Sequence, residues 1–253
     1  MIKPKYAFLA SMALALGTSC DKSSSDEFQE VNGNTTVKLI SSISLESEQE
    51  PDEDEKVEFF YDGEKRLSSV TDGSGTSEFT YDEQGLSGIA GDGDGEGFNT
   101  EELFKSPYDA FETGDVVEYD DNKNPSKMVF FEEEYDIESD EFIQKQYTAE
   151  LTYEDTPSVY FHTMEAAGMI DVLDKVQLNF AMQPQAQEIV KARALLPNNN
   201  ISEITYKDEE GTVVSEITTD YSYDEDDYPT QVTVTSNTDG EIYVYKLNYE
   251  YLK

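Results

Sequence analysis

The chain has 253 residues, a length that suits one all-β domain or two smaller domains. It carries 56 Asp and Glu against 17 Lys and Arg, and the resulting net charge of -39 repels phosphate backbones, which excludes nucleic acid as a partner. One Cys and one His exclude a disulfide framework, a multi-cysteine zinc site and most histidine-based catalysis.

The first 19 residues have the pattern of a signal peptide. Lys3 and Lys5 form a positive start, and residues 6–16 form an apolar segment too short to cross a bilayer as a helix. The only cysteine, Cys20, follows a run of small residues. This arrangement resembles a bacterial lipoprotein signal, which implies lipid attachment at Cys20 and a membrane anchor. The alternative is an ordinary signal peptide cut nearby, with Cys20 an incidental thiol.

Residues 20–35 are predicted to form a flexible acidic tether, because they are rich in Ser, Asp, Glu, Asn and Gly. Within them, Ser25, Asp26, Glu27 and Phe28 are similar to the acidic export tags that follow the lipidated cysteine in surface lipoproteins of Bacteroidetes. This resemblance implies a lipid-anchored location at the outer membrane, with the domain exposed at the cell surface.

From residue 36 to residue 253, apolar side chains recur mostly at every second position. Such alternation is typical of antiparallel strands with one buried and one wet side. Gly63 and Gly240 each follow an Asp between two such runs, and Gly readily adopts the positive φ of tight hairpins. We predict a single, mainly β domain over residues 36–253, an antiparallel β-meander of roughly ten strands that forms a curved sheet.

Three segments break this alternation and predict short helices. Residues 99–104 begin with a capping box, residues 163–176 place apolar side chains at helical spacing after Thr163 as N-cap, and residues 184–194 show a weaker helical pattern. We expect one or two of these helices to pack on one face of the sheet and cover apolar surface there.

A Tyr-Asp pair recurs where strands end and turns begin. A tyrosine can pack at the strand end while the aspartate bonds to the amides of its own turn. The copies are Tyr61-Asp62, Tyr81-Asp82, Tyr119-Asp120 and Tyr223-Asp224, with Tyr153-Glu154-Asp155 as a degenerate copy.

These residues resemble the YD repeats of Rhs-type proteins. Residues 59–70 and 223–232 are more closely similar to the YD-repeat-like, Rhs-related surface lipoproteins of Bacteroidetes, a family without an assigned biochemical role. The tyrosines of successive copies are 20, 38 and 34 residues apart as far as Tyr153. Because this spacing is irregular, we predict a single curved sheet rather than a closed shell.

Two acidic segments are candidate calcium sites. Asp92, Asp94 and Glu96 alternate with Gly like the start of a calcium loop, but Leu103 occupies the position where an EF-hand needs an acid. Residues 224–227 form a second acidic turn. Solvated acidic loops remain the alternative, so no cofactor is predicted and calcium stays an option.

His162 and the tyrosines of the last strand-like segment are the remaining candidates for function. His162 ends a short strand-like run, and we predict a partly buried junction residue rather than a catalytic one. The tyrosines could stack on sugars or fill the core, and a chain poor in aliphatic residues favours the core. They are Tyr243, Tyr245, Tyr249 and Tyr251.

These features together predict a non-enzymatic lipoprotein that acts as a binding or structural module, with a protein or glycan as its ligand. No catalytic residues are predicted. Two alternatives stay open: a glycan-processing enzyme, which needs only two carboxylates at a defined separation, and a calcium-stabilised structural module.

Overall fold

The computed structural model describes residues 22–49, 54–91, 98–100, 104, 108–109, 114–136, 140–179, 189–238 and 240–253. The protein is mainly β, as predicted, with short helices. The helices are α1 (Ser24–Asn32), α2 (Phe161–Ala166), α3 (Met169–Leu173) and a 3-10 helix (Ala192–Leu195). The strands are β1 (Ile40–Ser47), β2 (Glu55–Tyr61), β3 (Leu67–Thr71), β4 (Thr76–Asp82), β5 (Gly85–Gly91), β6 (Phe98–Asn99), β7 (Tyr108–Asp109), β8 (Asp115–Tyr119), β9 (Pro125–Asp136), β10 (Glu141–Pro157), β11 (Gln177–Asn179), β12 (Ile189–Lys191), β13 (Asn199–Lys207), β14 (Val213–Tyr223), β15 (Pro229–Thr238) and β16 (Glu241–Tyr251).

Thirteen of these strands form one antiparallel sheet in the order β6-β5-β4-β3-β2-β1-β16-β15-β14-β13-β10-β9-β8. The first strand, β1, pairs with the last, β16, at the centre of the sheet. Strands β1 to β6 follow one another outward on one side of this pair, and β16 to β8 follow in reverse chain order on the other side. The other three strands form a small sheet in the order β12-β11-β7. The predicted antiparallel meander is confirmed, with more strands than expected.

The strand register divides the side chains of the large sheet between two faces. In the central strand β16, Leu247 lies between Val232 on β15 and Leu45 on β1, whereas Lys246 lies among polar neighbours. The apolar face carries Leu45, Val57, Phe59, Ile217, Val232 and Leu247, and the polar face carries Glu46, Glu58, Glu216, Thr233 and Lys246. This division is the period of two that the sequence shows.

The helices pack toward one end of the sheet, the end at which β2, β4, β8 and β14 finish. We call it the capped end, and the opposite end the open end. Burial is concentrated at the capped end, where segments around the helices cover part of the apolar face. Its buried clusters are Ile40, Val159, Val232 and Tyr249; Leu86, Val172, Val176 and Ala192; and Phe28, Phe161 and Ile170.

The same five-residue turn occurs four times in the large sheet, at residues 62–66, 120–124, 208–212 and 224–228. In each copy the leading aspartate donates its amide to the carbonyl four residues later at 2.8–3.0 Å. Its Oδ1 accepts the amide of that same residue at 2.8–3.1 Å. Oδ1 of Asp82 likewise accepts the amide of Gln84 in its own turn at 2.7 Å, so the predicted role of aspartate is confirmed at all four Tyr-Asp copies. The turn at 208–212 was not recognised as a copy of this unit, because Lys207, not Tyr, precedes its aspartate.

Five tyrosine hydroxyls hold strands together at the capped end, and we call these residues the clamp tyrosines. Each donates a hydrogen bond of 2.6–2.8 Å to a carbonyl near the start of the preceding strand. Burial raises the pKa of Tyr81 and of Tyr221 to about 12 each, so these hydroxyls keep their protons at neutral pH. The donor and acceptor pairs are Tyr61 and Ile40, Tyr81 and Leu67, Tyr153 and Pro125, Tyr221 and Ile201, and Tyr251 and Pro229.

The predicted flexible tether is wrong over Ser24–Asn32, which forms helix α1. Ser23 caps this helix in a capping box with Asp26. Phe28 is 1% exposed and stacks on Phe161 with ring centroids 3.7 Å apart. The Ser and Asp residues that suggest a solvated chain are also those that begin a helix, and one apolar anchor then docks it. Cys20 and Asp21 lie outside the described residues.

The predicted helix over residues 163–176 is two helices, α2 and α3, separated by Gly168. Gly168 has φ of 71°, and a Cβ there would lie 3.1 Å from Cβ of Leu86, so the chain turns closely against β5. Thr163 is not the N-cap as predicted, because Tyr160 holds that position. The Thr163 hydroxyl instead accepts the amide of Ile40 at 3.0 Å.

The other two predicted helices lie largely outside the described residues. Phe98–Asn99 is strand β6, Thr100 is helical, and residues 101–103 lie outside the described residues. Residues 184–188 also lie outside them, and Ile189–Lys191 is strand β12. None of the described helices combines the length and the apolar content that crossing a membrane would require.

Candidate binding groove

A groove of about 1060 Å³ lies on the apolar face at the open end of the sheet. It forms because neighbouring strands differ in length. Residues 141–147 of β10 pair only with β9, whereas β13 pairs with β10 from Thr148 onward. The β9–β10 hairpin therefore extends past the end of β13 and makes one wall of the groove.

The floor of the groove is largely aromatic. The rings of Phe130 and Tyr147 stack with centroids 5.7 Å apart, and Tyr206 meets Phe130 edge to face at 6.0 Å. Met128 and the buried Ala149 complete the floor. These aromatic rings are half-buried, so the groove offers rigid apolar surface that the helices at the capped end do not cover.

The rim of the groove is acidic. Glu132 lies on the β9–β10 hairpin, and Asp208, Glu209 and Glu210 lie in the turn between β13 and β14, with Lys145 as the cation of the lining. Glu209 accepts the amide of Gln146 at 2.9 Å, which holds this turn against the hairpin. Anionic molecules approaching the groove therefore meet repulsion, and cationic ones meet attraction.

Exposed apolar side chains surround the open end. Phe142 is 71% exposed and Ile143 36% exposed near the tip of the β9–β10 hairpin. Val213 begins β14 and Ile242 lies near the start of β16, and both are more than half exposed. Exposed apolar side chains also occur at the capped end, among them Val37, Phe60 and Leu252, so exposure alone does not mark the open end as an interaction site.

His162 lies in the first turn of α2, not at the end of a strand as the sequence predicts, and at 7% exposure it is more deeply buried than expected. Its Nε2 lies 3.1 Å from Oγ1 of Thr35, and its Nδ1 lies 3.5 Å from Oε2 of Glu165. The interaction with His162, together with a hydrogen bond from Ser25, outweighs burial and lowers the pKa of Glu165. The cluster joins α1 to α2, which is a structural role.

The acidic turn at residues 224–227 holds a lysine. Nζ of Lys38 lies 2.8 Å from Asp226 and also contacts Asp224. Burial of Asp224 opposes its ionisation, but the bonds from Lys38 and from turn amides prevail and lower the pKa of this carboxyl. Within the described ranges, no group of three or more His, Cys, Asp or Glu is arranged to hold a metal ion. Asp92, Asp94 and Glu96 lie outside those ranges.

Two of the four tyrosines of β16 singled out above, Tyr249 and Tyr251, lie in or against the core, as the composition favours. Tyr249 is 7% exposed, and its hydroxyl lies 2.9 Å from that of Tyr160. Tyr251 is a clamp tyrosine packed against the same cluster. Burial raises the pKa of both hydroxyls. Tyr243 and Tyr245 are half-buried on the same strand.

Part of the chain matches the model of a known repeat family. Residues 61–96, which are 36 of the 253, match the family model of the RHS repeat. This match supports the resemblance to Rhs-related YD repeats, and it includes the Tyr61-Asp62 and Tyr81-Asp82 copies. A search of the curated proteins finds no match.

Among solved structures, the chain is similar to two porin-like proteins. The one from Bacteroides uniformis is 14% identical with a TM-score of 0.38, over 87% of this chain and 99% of that one. The one from Bacteroides vulgatus is 10% identical with a TM-score of 0.36, over 85% and 99%. A LolA superfamily protein from Nitrosomonas europaea is 9% identical with a TM-score of 0.25, over 89% of each chain. These scores are too low to assign a function.

Proposed function

We propose that the protein is a non-enzymatic binding module held at the outer membrane by lipid on Cys20, with its domain exposed at the cell surface. The observation that carries the binding role is the open groove with its aromatic floor. A sheet whose only task was structural would gain stability by covering these rings, since each buries a large apolar area. The groove instead leaves them half-exposed.

The start of the described chain supports an anchor close to the domain. Helix α1 begins at Ser24, four residues after Cys20. Four extended residues reach about 14 Å, so a lipid on Cys20 would hold the capped end near the membrane surface. The open end and its groove would then point away from the bilayer, where a partner can reach them.

Among the described residues, the carboxyl groups whose pKa departs from its ordinary value do not include a general acid. A glycosidase needs a general acid whose pKa is raised. The pKa values of Glu30, Asp62, Asp72 and Asp226 are instead lowered, the first two chiefly by hydrogen bonds with lysine or arginine. These four carboxyls are poor candidates for a general acid.

Fractionation and surface proteolysis of cells that express the full chain test the anchor. We expect the protein in the outer-membrane fraction, cleaved by external protease, and we expect Cys20→Ala to move it to a soluble fraction. Unchanged fractionation of Cys20→Ala would contradict the anchor. The binding role is tested with the exported Cys20→Ala chain and the neutral apolar dye N-phenylnaphthylamine. Dye fluorescence should rise on binding, and Ala149→Arg in the groove floor should abolish the rise.

A further inference from the structure

We propose that the groove binds a cationic amphipathic helix from a partner protein, with the apolar side of the helix on the aromatic floor and its basic side chains on the acidic rim. This inference rests on the proposed binding function and specifies the partner.

The open shape of the groove favours a polypeptide over a small molecule. Pockets for small ligands enclose most of the ligand surface, whereas this groove of about 1060 Å³ is open to solvent. Its lining residues come from five neighbouring strands, β15, β14, β13, β10 and β9. Four inter-strand spacings correspond to roughly 19 Å. An α-helix with its side chains is about 10–12 Å wide, so the width of the floor accommodates one helix.

The floor offers the contacts that helix-in-groove binding uses. Phe130, Tyr147 and Tyr206 form one continuous aromatic surface, flanked by Met128. An amphipathic helix presents apolar side chains along one stripe, which would lie on these rings. Aromatic residues at the centre of an interface contribute a large part of its binding energy.

The acidic rim favours a positively charged partner. Four carboxylates and one ammonium, that of Lys145, line the groove, and the whole chain carries a net charge of -39. Glu132, Glu209 and Glu210 are exposed, so a basic side chain can reach them without being buried. An acidic helix or an anionic lipid head group would be repelled both by the rim and by the protein as a whole. The favoured occupant is therefore basic on the side that faces away from the floor.

The test uses the exported Cys20→Ala full chain and a fluorescently labelled synthetic helix of about 18 residues, five turns, with Leu on one side and Lys on the other. Its Kd is measured by fluorescence anisotropy at low and at high NaCl concentration. A peptide with Glu in place of each Lys and a peptide with Ser in place of each Leu serve as comparisons. We expect binding of the Leu/Lys peptide alone.

Two charge-reversal variants separate the groove from general attraction to an acidic protein. Glu132→Lys with Glu210→Lys changes the rim, and Glu216→Lys with Asp220→Lys makes the same change of charge on the polar face of β14. All four positions are exposed, so folding should be unaffected. The rim variant should weaken binding about tenfold, and the polar-face variant less than about twofold.

Three outcomes overturn the inference. Equal weakening by the two variants would show non-specific charge attraction, and equally tight binding of the Glu peptide would exclude a cationic partner. Binding of the neutral dye without binding of the Leu/Lys peptide would also overturn it, while the proposed binding function would stand. If neither dye nor peptide binds, the binding function itself fails.

Discussion

Replacing the clamp tyrosine Tyr251 with Phe isolates one hydroxyl that joins the last strand to the sheet. Tyr251→Phe keeps the ring and its packing, including Nζ of Lys38 at 5.7 Å from the ring centroid, and removes only the 2.6 Å hydrogen bond to the carbonyl of Pro229. Pro229 is less than 2% exposed, so its carbonyl loses a partner that water does not readily replace. Leaving such a group unsatisfied costs about 1–3 kcal/mol.

A domain of this length shifts its Tm by about 2–4 °C per kcal/mol, so Tyr251→Phe should lower the Tm by about 2–12 °C. Tyr245→Phe on the same strand is the matched control, because the Tyr245 hydroxyl makes no hydrogen bond to any residue that the structure describes. Thermal unfolding at constant pH measures the change in Tm of both variants. Equal destabilisation by the two variants would show that the clamp hydrogen bond contributes nothing, and the proposed role of the clamp tyrosines would be refuted.

Three further predictions concern the aspartate turns, helix α1 and the acidic turn at residues 224–227. Lys65 and Gly211 occupy the same position of two aspartate turns, with φ of 63° and 80°, a region that glycine adopts without strain. Lys65→Gly should therefore raise the free energy of unfolding by up to about 1 kcal/mol, and Gly211→Lys should lower it by about as much. Urea unfolding measures both changes. Phe28→Ala should release α1, seen as faster hydrogen exchange of its amides with the sheet still protected; unchanged exchange would contradict docking through this ring. The pKa of Asp224 is lowered in the folded state, so the stabilisation that the ionised Asp224 carboxylate provides is complete above the ordinary pKa of about 3.9 and is lost as the pH falls through the folded value. Asp224→Asn should therefore reduce the loss of unfolding free energy below about pH 4. An unchanged dependence of this free energy on pH would contradict the assignment.

The parts of the fold that local chemistry specifies could be read from the sequence. Alternating side chains identified the strands, and each Tyr-Asp pair marked a turn whose aspartate bonds its own amides, as at Asp62 and Asp224. The split of residues 163–176 into two helices was missed because it depends on Leu86, which lies far along the chain from Gly168. Helix α1 was missed for a similar reason, since Phe28 gains its partner, Phe161, only in the folded protein.

The groove could not be predicted because it depends on how far each strand pairs with its neighbour. Its floor residues Phe130, Tyr147 and Tyr206 belong to the same alternating pattern as the core, and nothing local separates them from core residues. Only the register, with β10 extending past β13, leaves them half-open. The acidic rim was equally hidden, since 56 acidic residues make any single cluster uninformative.

The placement of the groove follows from the asymmetry of the repeat. Clamp tyrosines and three of the four aspartate turns all lie at the capped end, where they fix the start of each hairpin. At the open end, the described residues include the turn at 208–212 but no comparable tyrosine clamp. Strand length is therefore constrained at one end and free at the other, so hairpins can lengthen or shorten at the open end without disturbing the clamps. Shortening the β9–β10 hairpin should therefore remove the groove and abolish binding of the Leu/Lys helix while leaving the Tm nearly unchanged. A large loss of Tm would show that the hairpin supports the fold instead.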